Sequence, residues 1–156
     1  MKISLKLNQV LGLPSLLLAA LFLITSCTCE ETPILKELKI CDQRISDGDV
    51  ECDENLATFS QSSAQITASS LVAAHDASSV LTVTLNVIEN GVSTPALEKS
   101  INIAQIDEDV EGECKVWVAT GWGLAAGQVW PAGSYEIVSS LNATGSPVLK
   151  QAFTIN

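Results

Sequence analysis

The stretch SVLTVTLNVI, residues 79–88, decides the fold class. Val80, Thr82, Thr84, Asn86 and Ile88 fall on one side of an extended chain, and Leu81, Val83, Leu85 and Val87 on the other. Side chains alternate across a strand with period two, so this spacing predicts a strand with one wholly apolar face and one mixed face. β-Branched residues fill most positions, which suits a pleated surface, and Glu89-Asn90-Gly91 follows as a turn. Similar runs recur outward in both directions: 34–40 (ILKELKI), 64–72 (AQITASSLV), 100–106 (SINIAQI), 114–120 (CKVWVAT), 134–141 (SYEIVSSL) and 148–155 (VLKQAFTI). No long segment carries helical periodicity, although 69–75 fits either pattern. Seven short strands separated by turn residues predict an all-β chain folded as a two-sheet antiparallel sandwich.

The carboxy-terminal part sharpens this. Trp130-Pro131-Ala132-Gly133-Ser134-Tyr135 leads into a strand, a polar turn follows at Asn142-Ala143-Thr144-Gly145, and Ala152-Phe153-Thr154-Ile155 closes the chain. This order resembles the last two strands of bacterial immunoglobulin-like and fibronectin type III-like domains. The resemblance covers 130–155 and implies an immunoglobulin-like sandwich of about seven strands. It also implies that Tyr135, the single tyrosine, closes a corner by bonding backbone upstream. It carries no activity.

At the other end, Lys2 and Lys6 precede the apolar run VLGLPSLLLAALFLI, residues 10–24. A spanning helix needs about 20 apolar residues, so this run reads as the core of an export signal. Ile24-Thr25-Ser26-Cys27 follows it directly and resembles the bacterial lipobox. That resemblance implies cleavage before Cys27, lipid on the Cys27 thiol, and a membrane-anchored protein of the bacterial cell envelope. An ordinary secretory signal cut near Ser26, with Cys27 in a disulfide, is the alternative. The expected organisation is therefore a signal peptide at 1–26, a lipidated tether at 27–33 and a sandwich at 34–156.

Removing 1–26 takes away two of eight basic residues and none of eighteen acidic ones, leaving six against eighteen and a net charge of −12. Such a surface disfavours nucleic acid and favours cations or basic partners. With Cys27 set aside for lipid, Cys29, Cys41, Cys52 and Cys114 remain, an even number that suits two bridges in an oxidising compartment. Three connectivities are possible; Cys41 with Cys52 is favoured because they flank a short acidic turn, leaving Cys29 with Cys114, while Cys52 with Cys114 competes. Acids gather around the first pair (Asp42, Asp47, Asp49, Glu51, Asp53, Glu54) and before Cys114 (Asp107, Glu108, Asp109, Glu111, Glu113). Calcium takes six to eight oxygens, so Asp47, Asp49, Glu51 and Asp53 are candidate calcium ligands, with solvated acidic turns as the competing account.

All three tryptophans lie between 117 and 130. Trp117 sits in a strand pattern and is expected in the core, and Trp130 is expected to cap it. Trp122, between Gly121 and Gly123, is the candidate for contact with a sugar or a protein, against folding back over the sandwich. Catalysis finds little footing. His75 is the lone histidine, no serine has a nucleophile-elbow context, and there is no phosphate-cradling glycine loop. The expectation is a lipid-anchored envelope protein whose sandwich binds an envelope protein or glycan or serves as a structural module. The alternative is a calcium-stabilised or carbohydrate-recognising accessory domain of an envelope enzyme system.

Overall fold

The computed structural model describes residues 32–45, 48–73, 78–103 and 115–156, with the backbone alone at 48 and 49. They form two sheets. The first has the order β1 (Ile34–Cys41), β4 (Gln65–Ala73), β7 (Lys115–Gly123), β2 (Gly48–Asp49). The second has the order β3 (Thr58–Phe59), β9 (Leu149–Ile155), β8 (Gly133–Leu141), β5 (Val80–Glu89), β6 (Val92–Asn102). The fold is thus an all-β, immunoglobulin-like sandwich in which seven strands are long and β2 and β3 are two-residue pieces. Among the described residues no helix is long and apolar enough to cross a membrane.

The alternation read in 79–88 is what packs the sheets. Leu81, Val83 and Leu85 are essentially sealed from solvent, while Val80, Thr82 and Thr84 on the other face are partly exposed. Opposite them, β4 turns Ile66, Ala68 and Val72 inward and β7 turns Val116, Val118 and Trp122 inward. Tyr135, Ile137, Phe153 and Ile155 complete the apolar layer, with Phe59 edge-on to Phe153 at 5.1 Å and Tyr135 stacked on it at 5.5 Å. One polar pair crosses this layer. Ser70 of β4 and Ser139 of β8, both fully buried, share a hydrogen bond of 2.9 Å, which satisfies two hydroxyls that burial would otherwise penalise.

Two strand readings need correction. Of the segment expected as a strand at 100–106, residues 100–102 end a longer strand, β6, which starts at Val92, while Ile103 follows that strand and 104–106 lie outside the described residues. Asn90 and Gly91, with φ of 52° and 78°, both sit in the left-handed region and make a two-residue turn of the kind whose twist matches the right-handed twist of the flanking strands, so Val92 pairs at once with Glu89. The first half of β6, VSTPALE, lies at a sheet edge and is exposed on both faces, so it needs no apolar alternation and shows none. The sandwich is also not wholly antiparallel, because β3 runs parallel to β9, pairing Thr58 with Thr154 and Phe59 with Ile155.

The pairing gives the sandwich two poles. Ile34, Ala73 and Lys115 end one row in the first sheet, and the second sheet ends beside them with Val80, Asn102, Leu141 and Leu149. Leu35 N–H donates to Ser146 Oγ at 3.0 Å, which ties the start of β1 to the β8–β9 connection at this pole. The opposite pole holds Cys41, Gln65 and Gly123, the turn at Asn90-Gly91, and Gly133 with Ile155.

The corner implied for Tyr135 is present. Its hydroxyl donates to the Pro131 carbonyl at 2.8 Å, and burial raises its pKa above the usual value of 10.0. A group whose folded pKa is raised contributes stability that is complete below its unfolded pKa and is lost as pH rises through the folded value. Tyr135→Phe is therefore expected to cost about 1 kcal/mol in urea unfolding at neutral pH, and to make the loss of stability above about pH 10 shallower than in the wild type. Identical unfolding curves for the two proteins at both pH values would remove the corner's energetic role.

Candidate functional site

Some of the residues singled out in the sequence, Cys41, Cys52, Glu51, Asp53 and Trp117, gather at the outer face of the first sheet. Along β4 the inward residues alternate with Gln65, Thr67 and Ser69, and the last two are fully buried although they face away from the core. What covers them is the acidic connection after β1. Thr67 Oγ1 donates to Gln43 O at 2.7 Å, Gln65 Nε2 to Ile45 O at 2.7 Å, and Ser69 Oγ to Val50 O at 2.7 Å. Three strand side chains thus hold three carbonyls of one loop. The loop adds its own short strand, with Gly48 and Asp49 pairing with Ala119 and Val118 of β7. Gly121 leaves room for this: a Cβ there would lie 1.8 Å from Gln65 Nε2.

The Cys41–Cys52 disulfide closes the loop, as favoured from the sequence, with a sequence separation of 11 and both cysteines buried. Asn55 Oδ1 accepts from Ile40 N–H at 2.9 Å and Leu56 N–H donates to Ile40 O at 2.7 Å, fixing the exit of the loop beside its entry. Two of the candidate calcium ligands are used within this structure. Glu51 takes the Lys39 ammonium, and Asp53 accepts from Gln43 Nε2 while its own N–H donates to Gln43 Oε1 at 3.1 Å. Among the described residues no three His, Cys, Asp or Glu side chains stand where they could share a metal ion. Asp47 lies outside the described residues, as do Cys27, Cys29, His75, Cys114 and the acids at 107–113, and Asp49 is described only in its backbone.

The tryptophans are the main correction. Trp122 does not project from a loop. It lies within β7, opposite Ile66, and is 6% exposed in the core, because β7 continues as a paired strand through both flanking glycines to Gly123. Its parity matches Val116 and Val118, and that places it inward. Trp117, expected inside, has the other parity and lies on the outer face, partly exposed, with Lys39 Nζ 4.9 Å from its ring centroid. The Glu51 carboxylate holds Lys39 there by hydrogen bond and charge, with Glu37 at 3.9 Å adding to it, and together they raise the Lys39 pKa against the opposing effect of desolvation. Trp130 caps the core as expected, 5% exposed, its Nε1–H donating to Ser63 O and its backbone N–H to Gln61 O, each at 2.9 Å. The result is a covered, cross-braced surface carrying an ordered Trp117–Lys39–Glu51 group.

No protein-family model matches the chain, and no curated protein sequence is similar to it. Among solved structures it is similar to a Niemann-Pick type C2 protein from Japanese carpenter ant, with 17% identity over 81% of this chain and 94% of that one, at a TM-score of 0.46. It is also similar to an alkylpurine DNA glycosylase of Pseudomonas fluorescens bound to DNA with an abasic site analog (8% identity, 80% of this chain, 30% of that one, TM-score 0.42). A third is a β-glucosidase from Listeria innocua in complex with glucose (10% identity, 78% of this chain, 16% of that one, TM-score 0.41). Nothing of what these proteins bind or act on passes to this chain at such scores.

The loop is held by a crosslink and by three side chains of β4, and the two contributions separate by mutation. Replacing both Cys41 and Cys52 by alanine is expected to cost about 3 kcal/mol on the chain-entropy account of a loop this size. Trp117 emission should also shift to the red as Glu51 ceases to hold Lys39 in place. Unchanged stability by chemical denaturation would mean that the β4 hydrogen bonds alone seat the loop.

Proposed function

We propose that this chain is a lipid-anchored protein of the bacterial cell envelope whose sandwich acts as a binding or structural module outside the cytoplasm. The observation that carries the reading is Ile24-Thr25-Ser26-Cys27 directly behind an apolar run and seven residues before the first strand begins at Ile34. Lipid on Cys27 would then meet the sandwich after a tether too short to hold another folded element. The Cys41–Cys52 bridge supports export, since such bonds persist in oxidising compartments.

The module's interaction surface is best sought at the pole away from Ile34. There Ser60, Ser62 and Ala64 from one connection and Ala125, Ala126, Gln128 and Val129 from another are exposed, and Trp130 braces the two connections to each other. Neither 55–66 nor 121–135 contains a charged residue, in a chain whose net charge is −10. Interface centres are depleted of charge in this way, and a pre-braced surface loses little conformational freedom on binding. An envelope protein or glycan is the class of partner this surface suits.

The anchor is tested by Cys27→Ser. Expected is unprocessed precursor with no incorporation of labelled fatty acid, against a processed, labelled wild type. A mutant that is processed and released normally, beside an unlabelled wild type, overturns the reading.

A further inference from the structure

We infer that the β8–β9 connection, Asn142–Val148, is the part of the sandwich that rests against the lipid bilayer, an inference that rests on the anchoring of Cys27 proposed above. From Cys27 to Ile34 the chain has seven residue steps, a reach of at most about 25 Å when fully extended. The long strands, such as the eleven-residue β6, span roughly 35 Å at the usual rise per residue. The tether is therefore shorter than the sandwich, and it leaves from the pole that carries the start of β1. Leu35 N–H donates to Ser146 Oγ at 3.0 Å, so the connection lies where the tether enters the fold.

The connection is built to present a fixed surface. Asn142 clamps it to the start of β5: its Oδ1 accepts from Val80 N–H at 2.7 Å, its Nδ2 donates to Ser78 O at 2.9 Å, and its N–H donates to Val80 O at 3.1 Å. Ser146 N–H donates to Ala143 O at 3.2 Å, and Gly145, at φ 84°, supplies the left-handed residue the turn requires. What it exposes is Asn142, Thr144, Gly145, Pro147 and Val148, the last at 55%. The segment from 142 to 148 carries no charge, so seating it against the headgroups desolvates no ion of its own. An isolated contact of this size is weak. Tethering makes it intramolecular at a high effective concentration, and a weak contact is then occupied.

The experiment uses the full chain, acylated in its host, purified and placed in phosphatidylcholine vesicles containing a headgroup-nitroxide lipid. A fluorophore is attached through Thr144→Cys in one protein and Gln128→Cys in another, and mass spectrometry reports acylation of Cys27 in each. Quenching is expected to be several-fold stronger at 144 than at 128, and Val148→Asp is expected to weaken it at 144 while the acyl mass is retained. Acylated protein with equal quenching at both positions, strong or absent, overturns this placement and leaves the anchor standing. Absence of acyl mass on Cys27 overturns the anchor, and this placement falls with it.

Discussion

Strand β4 is buried on both faces, and most of what is distinctive in this sandwich follows from that constraint. A strand at the centre of a two-layer fold normally covers one face with the opposite sheet and wets the other, which permits free polar alternation. Here Thr67 and Ser69 are turned away from the core and yet are fully buried. A buried hydroxyl without a partner costs on the order of 1–3 kcal/mol, so each must be matched by an acceptor. The acceptors are carbonyls of the acidic loop, Gln43 O and Val50 O, with Ile45 O for the adjacent Gln65. The requirement is mutual, because those carbonyls lie on a covered surface too. Disulfide, short β2 strand and the small residue Gly121 all serve to keep this one layer of hydrogen bonds in register.

Much of the fold was legible in the sequence wherever a strand has unlike faces. Residues 79–88 announced β5 with its inward and outward sets in the observed order, since one face is core and the other is partly wet. Tyr135 was legible for a different reason: a resemblance of order in 130–155 implied a bond that local geometry then makes to Pro131. The signal failed where both faces are alike. β6 is exposed on both sides at its start and shows no period, and only the Asn90-Gly91 turn marks where it begins. In β7 both faces are largely covered, so apolarity alone could not say which of Trp117 and Trp122 faces inward. Parity with Val116 and Val118 could have, had the strand been extended through the two glycines. The acidic loop shows in the sequence as charge and cysteine, and nothing in Gln65-x-Thr67-x-Ser69 marks it as the buried row that seats that loop.

The sheet edges are handled by chemistry within the chain. β6 is a long edge strand with Leu97 45% and Val92 63% exposed, the kind of edge that invites pairing with another chain. Pro95 has no N–H to offer such a neighbour, and the register slips between Leu85 and Asn86 where β6 bulges. Lys99, opposite the fully buried Val83, sends its ammonium across the open side of the sandwich to Gly121 O at 2.9 Å. An inward lysine at an edge discourages strand addition, and this one also joins the two sheets. Gly121 thus stands at two junctions, with Lys99 on its carbonyl and Gln65 packed against its Cα.

Charge is distributed unevenly along the chain. Beside the disulfide, Glu51 and Asp53 are held on the outer face of the first sheet, engaged by Lys39 and Gln43. From 116 to 135 there is no charged residue at all, and none from 55 to 74. Those two runs meet at the pole braced by Trp130, so the patch they form there carries no charged side chain, although Glu89 and Asp42 stand at the same pole. The separation sets the physics of any contact made there. Long-range attraction of a basic partner would act on the acidic face and fall with added salt, whereas a contact on the uncharged patch depends more on shape and apolar area. A surface of that kind discriminates by fit after encounter, and its rigidity, supplied by Trp130 and the Tyr135 corner beneath it, is what makes such fit available.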